Sequence, residues 1–150
     1  IARQQMRGAT ICEEGLVQPT FVLDHPIDTT PLCKPLREYS LEQLEEMSKD
    51  PEKVIFVERF EPYINKWELG NSYTELNDPV LQRRLLEDQV ERGRGGEEET
   101  QPLDEDFLRA IEVGMPPTTG VGLGVDRLVM LLTNSQSIRD VLFFPLMRPL

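Results

Sequence analysis

Two consecutive runs of strand-forming residues constrain the fold of this chain more than any other feature. The first extends from Val54 to Tyr63 and is rich in β-branched and aromatic side chains, and the second extends from Trp67 to Leu76. Between them, Asn65-Lys66 forms a plausible two-residue hairpin turn. Because strands joined by a hairpin pair antiparallel, the pattern favours an antiparallel sheet over a wound βαβ fold.

Shorter signals place further elements around this hairpin. Phe21-Val22-Leu23, bracketed by prolines, predicts a short buried strand, and the two prolines within 29–35 predict a loop. A capping box at Ser40, and a cap residue followed by proline at 77–79, indicate helix starts. The segment 119–124 predicts a glycine-alternating strand. The predicted helices cover 40–49, 79 to about 91, about 104–113 and 125–133. This mixture of hairpin-linked strands and helices predicts an α+β domain.

Two of these helices carry apolar residues at helical spacing, which predicts one inward face on each. The residues expected to face inward are Leu81, Leu85, Leu86 and Val90 in one helix, and Leu128, Leu131 and Leu132 in the other. The stretch from Arg92 to Gln101 is acidic and rich in glycine, so it indicates a solvated, mobile loop. The chain contains no internal repeat.

The charge balance narrows the classes of partner. The formal net charge is −11, from 27 acidic and 16 basic side chains, and no basic patch stands out. A surface that grips nucleic acid through its phosphates should be basic, so this segment is not expected to be the main nucleic-acid surface. An excess of acid is ordinary for a soluble surface and also allows a site for a cation.

Apolar runs and cysteines bear on the compartment. No run approaches the roughly 20 apolar residues of a membrane span, and no secretory signal opens the chain, so no membrane partner is expected. Cys12 and Cys33 lack the spacing of a metal site and are interpreted as reduced thiols, although a disulfide stays open. The expected location is therefore the cytoplasm.

A glycine-alternating run from Gly120 to Gly124 is the first candidate site. Glycines let a backbone approach a ligand closely, and the start of the following helix offers unpaired N–H groups to an anion. Arg127, in the first helical turn, would add a fixed cation. Close packing of strand on helix explains the same glycines equally well. The spacing matches neither a Walker A loop nor the dinucleotide fingerprint, so both interpretations stay open on this run alone.

The hairpin carries the second candidate site. With the turn at Asn65-Lys66, Tyr63 faces Glu68, and Glu61 points to the same side as Glu68 because side chains alternate along a strand. Two carboxylates then lie diagonally across a strand pair, within reach of one divalent ion or of several bridged by phosphates. The alternative is that both carboxylates merely face water.

The second strand of the hairpin adds three polar side chains. Asn71, Tyr73 and Glu75 share one face by simple alternation. A bulge at Gly70 would be needed to turn that face to the side of the two glutamates. Lys34, His25 and Asp126 are weaker candidates. A single histidine beside a proline, such as His25, is more often structural than catalytic. Neither a nucleophilic triad nor a zinc spacing can be assembled.

Several segments together resemble one enzyme family. They are Arg59-Phe60-Glu61, Glu68 to Pro79 (ELGNSYTELNDP), Asp104 to Phe107 (DEDF), Gly114 to Pro117 (GMPP), Gly122 to Leu132 (GLGVDRLVMLL), Ser137 to Val141 (SIRDV) and Phe144-Pro145. Upstream, Asp24-His25-Pro26 and Pro31 to Lys34 add two shorter matches. In this order and spacing they resemble the catalytic domain of class II lysyl-tRNA synthetases, with 122–132 similar to class II motif 3.

The resemblance implies a class II antiparallel sheet flanked by helices, and ATP-dependent activation of lysine followed by transfer to tRNA(Lys). It implies that Glu61 and Glu68 hold Mg²⁺ on the ATP phosphates. The residues implied to line the lysine pocket are Asn71, Tyr73 and Glu75, with Glu75 facing the ammonium group. Gly124 would give backbone access near the nucleotide, and Arg127 would contact the γ-phosphate as the catalytic cation. The family also implies a homo-oligomer.

Other parts of the family pattern do not appear in this sequence. Motifs 1 and 2 and the anticodon-binding domain are not visible, so residues 16–150 are expected to be the C-terminal part of the catalytic domain, weakly active or inactive alone. Residues 1–15 form an unassigned lead-in, and 38–53 resembles an insertion. Two alternatives stay open: a non-catalytic binding or regulatory module, and a synthetase paralogue that ligates lysine to a protein.

Overall fold

The computed structural model describes residues 14–50, 53–96 and 100–146. Its strands are β1 (Thr20–Pro26), β2 (Phe56–Ile64), β3 (Trp67–Glu68), β4 (Gly70–Thr74) and β5 (Thr119–Leu123). Its helices are α1 (Leu41–Ser48), α2 (Pro79–Arg94), α3 (Glu105–Val113) and α4 (Val125–Thr133), with 3-10 turns at Ile27–Thr29 and Ile138–Asp140. The strand order is β1-β2-β4-β5, with β3 paired to β2. The predicted α+β class, with an antiparallel hairpin and helices between strands, is confirmed.

The hairpin turn lies where the sequence predicts it. Ile64 pairs with Trp67 and Tyr63 with Glu68, which leaves Asn65 and Lys66 as the two loop residues. Their φ angles are 52° and 66°, so both occupy the left-handed region that a type I′ turn requires. The turn is also attached to the segment before β1, since the Asn65 and Lys66 N–H groups donate to the carbonyls of Val17 and Leu16.

The strand predicted over 67–76 is broken by a bulge. Tyr63 is three positions from Phe60 on β2, whereas their partners Glu68 and Ser72 are four positions apart. The extra residue falls at Leu69-Gly70, and the prediction of one continuous strand is therefore wrong. The bulge that the sequence required at Gly70 is confirmed by this change of register. A Cβ atom at Gly70 would collide with the Gly122 carbonyl, which explains why glycine occupies the position.

The chain folds into two compact units, each built from segments that are distant in the sequence. Unit 1 comprises 1–22, 61–71 and 121–150, and unit 2 comprises 23–60 and 72–120. Of the predicted lead-in at 1–15, only Glu14 and Gly15 are among the described residues. No helix in the described part of the chain is both long enough and apolar enough to cross a membrane.

In unit 2, helix α2 packs through polar as well as apolar side chains. Asp78 caps its first turn, as predicted, by accepting from the Val80 and Leu81 N–H groups. Leu86 is buried as expected, but two glutamines are buried as well. The amides of Gln82 and Gln89 donate to the carbonyls of Pro31 and Asp28, each at 2.9 Å. Helix α2 therefore fixes the loop that contains Asp28 and Pro31.

The C-terminal end of α2 differs from the prediction. The helix runs to Arg94, so the loop expected from Arg92 begins later. The Arg92 guanidinium binds the Asp28 carboxylate at 2.7 Å, and both arginines lie in the last turn, where cations favour the helix dipole. Residues 97–99 of the predicted loop lie outside the described residues.

In unit 1, helix α4 begins and ends at the predicted residues, but its inward face is narrower. Met130 is buried and Leu128 and Leu131 are half-buried, whereas Leu132 is 76% exposed. The expectation that Leu132 faces inward is therefore wrong. Within the described residues nothing covers that side of α4, where Val125 is also exposed.

Helix α1 confirms its predicted capping box and shows why the segment around it folds locally. The Ser40 hydroxyl accepts from the Gln43 N–H at 3.2 Å, and the Gln43 side chain accepts from the Ser40 N–H at 2.8 Å. No residue of α1 is buried. The helix is therefore set by its local capping signal more than by burial, and the interpretation of 38–53 as an insertion stays a prediction.

The positive φ of Lys66 leads to a stability prediction. Lys66→Gly should raise the free energy of unfolding by about 1 kcal/mol, because glycine adopts this conformation without a Cβ clash. Guanidinium titration followed by circular dichroism measures the change. Lys66→Ala is the matched control, since it removes the same side chain but keeps Cβ. Equal unfolding free energies for the Gly and Ala variants would contradict the backbone explanation.

Candidate active site

A cleft of about 370 Å³ in unit 1 is lined by four of the residues to which the family resemblance assigns a role, namely Glu68, Asn71, Gly124 and Arg127. The glycines of the motif-3-like run make this geometry possible. The Gly124 N–H donates to the Leu69 carbonyl at 2.7 Å, so the end of β5 lies directly against the bulge. A Cβ at Gly124 would come within 3.3 Å of the same carbonyl, which is tighter than most contacts. This contact supports the close-packing explanation of Gly124, and access for a ligand at the same glycine stays a prediction.

Arg127 is fixed on one wall of this cleft. It lies in the first turn of α4, as predicted, and its Nη1 donates to the Glu68 carbonyl oxygen at 2.7 Å. The same nitrogen is 4.0 Å from the Glu68 carboxylate. The N-cap residue, Gly124, supplies no side-chain cap to the helix. A cation and a helix N-terminus therefore occur side by side, the combination that binds phosphate oxygens.

Glu61 occupies a different environment from Glu68. It is buried, with 6% of its surface exposed, and its Oε2 accepts a hydrogen bond from the Tyr63 hydroxyl at 2.9 Å. Tyr63 is itself 3% exposed. The residues that line the cleft include Glu68 but not Glu61. The structure thus places the two glutamates on one hairpin with unequal exposure.

The chemistry of the two glutamates fits a magnesium ion only in part. Within 14–50, 53–96 and 100–146, no group of three His, Cys, Asp or Glu side chains comes together to hold a metal. Mg²⁺ prefers oxygen ligands and is commonly held by one or two carboxylates together with substrate phosphates. Glu61 and Glu68 therefore fit a cation that arrives with a nucleotide better than a resident metal.

Unit 2 holds the remaining two predicted residues, Tyr73 and Glu75. Tyr73 pairs with Arg59 across β2 and β4, and the Glu75 N–H donates to the Thr118 carbonyl at 3.0 Å. The Glu75 carboxylate lies beside β5, where a Cβ added to Gly120 would be 3.2 Å from its Oε1. Glycine at this position therefore makes room for the carboxylate.

Partial burial raises the pKa values of these two side chains. Burial raises the pKa of the Glu75 carboxyl above its ordinary value. Burial, followed by the negative charge of Glu75, raises the pKa of the Tyr73 hydroxyl. A carboxylate that has lost part of its hydration is stabilised by a bound cation, so the direction of the Glu75 shift suits an ammonium ligand.

Cys33 adjoins this group as a free, buried thiol, and its backbone forms an isolated bridge with Glu75. Burial raises the pKa of the Cys33 thiol to about 11, against an opposing effect of the Arg59 cation. The thiol is therefore neutral and unreactive at physiological pH. This agrees with the predicted reduced state for Cys33, while Cys12 lies outside the described residues.

Cys33 should make stability depend on pH in the alkaline range. The pKa of the thiol rises from 9.0 in the unfolded chain to about 11 in the fold. The protonated thiol therefore makes its full contribution to the free energy of unfolding below pH 9, and this contribution is lost as the pH rises toward 11. By pH 11 the loss should be on the order of 2 kcal/mol. Denaturant titrations of the natural chain and of Cys33→Ala should therefore converge as the pH rises. Parallel curves from pH 8 to 11 would contradict the assignment.

The weaker candidates take structural roles or join the cleft. Lys34 Nζ donates to the Asn77 side chain at 3.1 Å, and the Asn77 amide donates in turn to the Met115 carbonyl at 3.3 Å. His25 is buried, with 6% of its surface exposed, as expected for a structural histidine. Asp126 lines the cleft in unit 1.

Two residues near the candidate positions, Arg59 and Tyr63, were given no functional role from the sequence. Tyr63 follows Glu61 by two positions, so strand alternation already places both on one side. That signal was available, because the pairing of Tyr63 with Glu68 was predicted. The contact of Gly120 with Glu75 depends on residues far apart in the chain, and no local pattern indicates it.

Comparison with known proteins shows which family the chain resembles in sequence. Residues 2–148 match the family model of class II tRNA synthetases (D, K and N). The lysine–tRNA ligase of Synechococcus is 53% identical over 137 residues, covering 91% of this chain and 24% of the relative. The lysine–tRNA ligase of Nostoc punctiforme is 52% identical over 137 residues, covering 91% of this chain and 22% of the relative. That of Sulfolobus acidocaldarius is 49% identical over 132 residues, covering 88% of this chain and 24% of the relative.

These relatives are much longer than the chain, which spans about a quarter of the length of each. The identity nevertheless extends over nearly the whole of the chain, and the family model covers both units. The chain belongs to the class II tRNA synthetases (D, K and N).

Proposed function

We propose that this chain is part of the catalytic domain of a lysine–tRNA ligase and contributes residues that bind lysine and the phosphates of ATP. The observation that carries the proposal is the Glu75 carboxylate, partly buried beside Gly120 and Cys33, with a raised pKa. Curated relatives about 50% identical over most of the chain carry the name lysine–tRNA ligase, which supports the same assignment.

Glu75 would select lysine by charge. An ammonium group restores the electrostatic stabilisation that the carboxylate loses on burial. The side chain of aspartate would be repelled, and that of asparagine carries no charge to compensate. Tyr73, two positions before Glu75, would pack against the aliphatic part of the substrate, and the family resemblance adds Asn71 as a hydrogen-bonding residue. Lysine is thus the member of the D, K and N group that Glu75 favours.

The nucleotide would be bound through unit 1. Arg127 would contact the γ-phosphate, and the backbone at Gly124 would allow the nucleotide to come close. Glu61 and Glu68 would hold Mg²⁺, which when bound neutralises phosphate charge and orients the phosphates for attack at the α-phosphorus. These protein groups would act by positioning and charge stabilisation, without acting as acids or bases. In the whole protein, tRNA(Lys) would accept the lysyl group, a second copy would complete a homo-oligomer, and the compartment would be the cytoplasm.

A panel of amino acids tests this proposal. Lysine, aspartate and asparagine are each titrated calorimetrically into the 150-residue chain in the presence of Mg²⁺ and ATP, after circular dichroism has verified the fold. Saturable binding of lysine alone is the expected result. Equal binding of the three amino acids, or binding of aspartate, would exclude lysine specificity. If the folded chain binds none of the three, the proposed lysine site is wrong, although the family assignment still holds.

A further inference from the structure

A buried hydrogen bond joins Tyr63 to Glu61 in unit 1. The Tyr63 hydroxyl donates to Oε2 of Glu61 at 2.9 Å, and the two residues are 3% and 6% exposed. A charge-assisted hydrogen bond between buried groups is stronger than one in water, and it restricts the rotation of the carboxylate. The orientation of Glu61 is therefore set in part by a neighbour on its own strand.

Tyr63 is itself held rigidly enough to define this orientation. It is paired in register with Glu68 across the hairpin, one residue before the pair that closes the turn. The turn is fixed in addition by the hydrogen bonds of Asn65 and Lys66 to residues 16–17, at 2.9 and 2.8 Å. A ligand is positioned well when the groups that support it are locked by packing and by the backbone.

We propose that Tyr63 is a positioning residue that orients the Glu61 carboxylate toward a divalent cation carried on the ATP phosphates. The inference rests on the proposed function, because it assigns Glu61 to that cation. In metal sites, a hydrogen-bond donor to a ligating carboxylate fixes the direction in which its lone pairs face the metal. The phenol engages Oε2 and thereby restricts the rotation of the carboxylate. Tyr63 need not touch the cation or the nucleotide.

Tyr63→Phe is the direct test, because it removes one oxygen and keeps the ring that fills the buried space. Tyr39→Phe is the matched control: it makes the same change at a hydroxyl that accepts a 3.4 Å bond from the Phe56 N–H in unit 2. Two quantities are measured by titration of the 150-residue chain. One is the Mg²⁺ concentration that half-saturates ATP binding, and the other is the affinity for ATP in EDTA.

The expected result is that Tyr63→Phe raises the half-saturating Mg²⁺ concentration about tenfold and leaves the metal-free ATP affinity unchanged. Tyr39→Phe should change neither quantity. In a Glu61→Gln background, the effect of Tyr63→Phe should disappear, since the hydroxyl acts through that carboxylate. A general structural defect would instead weaken ATP binding with and without Mg²⁺, and that result would overturn the inference.

The remaining outcomes separate failure of the inference from failure of the proposed function. If the natural chain binds ATP with Mg²⁺ and Tyr63→Phe behaves identically, the inference is wrong and the proposed function stands. The inference is also wrong if the effect of Tyr63→Phe persists in Glu61→Gln. If the folded natural chain shows no Mg²⁺-dependent binding of ATP, the proposed function fails, and the inference fails with it.

Discussion

Glu75→Gln should weaken lysine binding by about a hundredfold, while the affinity for ATP changes by no more than about twofold. Glutamine preserves the shape of the side chain beside Gly120 but removes the charge that would face the ammonium group. A charged hydrogen bond lost in a partly buried position accounts for an effect of this size. Calorimetric titration of the natural chain and of the variant with lysine measures it.

The pH dependence of lysine binding provides a second measurement on the same variant. Because burial raises the pKa of Glu75 above 4.5, protonation should begin to weaken lysine binding at a higher pH than for an exposed glutamate. Glu75→Gln should abolish this dependence. Glu42→Gln, on the exposed helix α1, is the control and should leave lysine binding unchanged. Loss of lysine binding in the Glu42 variant, or none in the Glu75 variant, would contradict the assignment.

Arg127→Ala should have a comparable effect on the nucleotide, weakening the binding of Mg²⁺-bound ATP by about a hundredfold. The substitution removes the cation from the cleft and also the 2.7 Å hydrogen bond to the Glu68 carbonyl. Arg127→Lys should give an intermediate loss, because lysine keeps the charge but lacks the planar fork. Lysine binding in the absence of nucleotide should change little. Fluorescence titration with a labelled ATP analogue measures these affinities.

The control for Arg127 is another arginine on a helix. Arg109→Ala removes an exposed guanidinium that interacts with Asp106 at 3.6 Å, and ATP affinity should not change. If Arg109→Ala and Arg127→Ala weaken ATP binding equally, the effect reflects net charge and not the cleft. If neither weakens it, the assignment of Arg127 to the γ-phosphate is wrong.

Local signals explain why much of the fold could be predicted. The hairpin turn, the capping box at Ser40 and the Asp78 cap each depend on residues within four positions of one another. The bounds of α4 follow in the same way from a glycine before it and from apolar spacing within it. Such features are decided by backbone sterics and hydrogen bonds close in the chain, so they can be inferred without tertiary information.

The features that the sequence did not reveal, or revealed only in part, depend on more than local patterns. Gln82 is buried because its amide reaches the carbonyl of Pro31, 51 residues earlier, and no helical periodicity indicates this. Leu132 fits an apolar stripe yet is exposed, because a stripe does not reveal what lies opposite it. The break at Leu69 was predicted only because the side chains of β4 could not otherwise face the same side as Glu61 and Glu68. A bulge has no strict sequence signature beyond a glycine.

The candidate site was likewise predicted in part from local spacing and in part from the resemblance to a family. Spacing alone placed Glu61 and Glu68 on one side of the hairpin, and the pairing of Tyr63 with Glu68 confirms the register behind that argument. The roles of Asn71, Tyr73, Glu75 and Arg127 came from the resemblance to a family, because no local rule assigns a carboxylate to lysine or an arginine to a phosphate. Those roles stay predictions that the substitutions above test.

The most direct measurement is a two-dimensional ¹⁵N–¹H NMR titration of the 150-residue chain with lysine and, separately, with Mg²⁺ and ATP. The account predicts that lysine shifts the amide signals of Tyr73, Glu75 and Gly120, and that ATP shifts those of Glu68, Gly124 and Arg127. Signals of the exposed helix α1 should not move with either ligand. Shifts scattered away from these residues, or no shifts at saturating ligand in a well-dispersed spectrum, would contradict the proposal that this chain binds lysine and ATP.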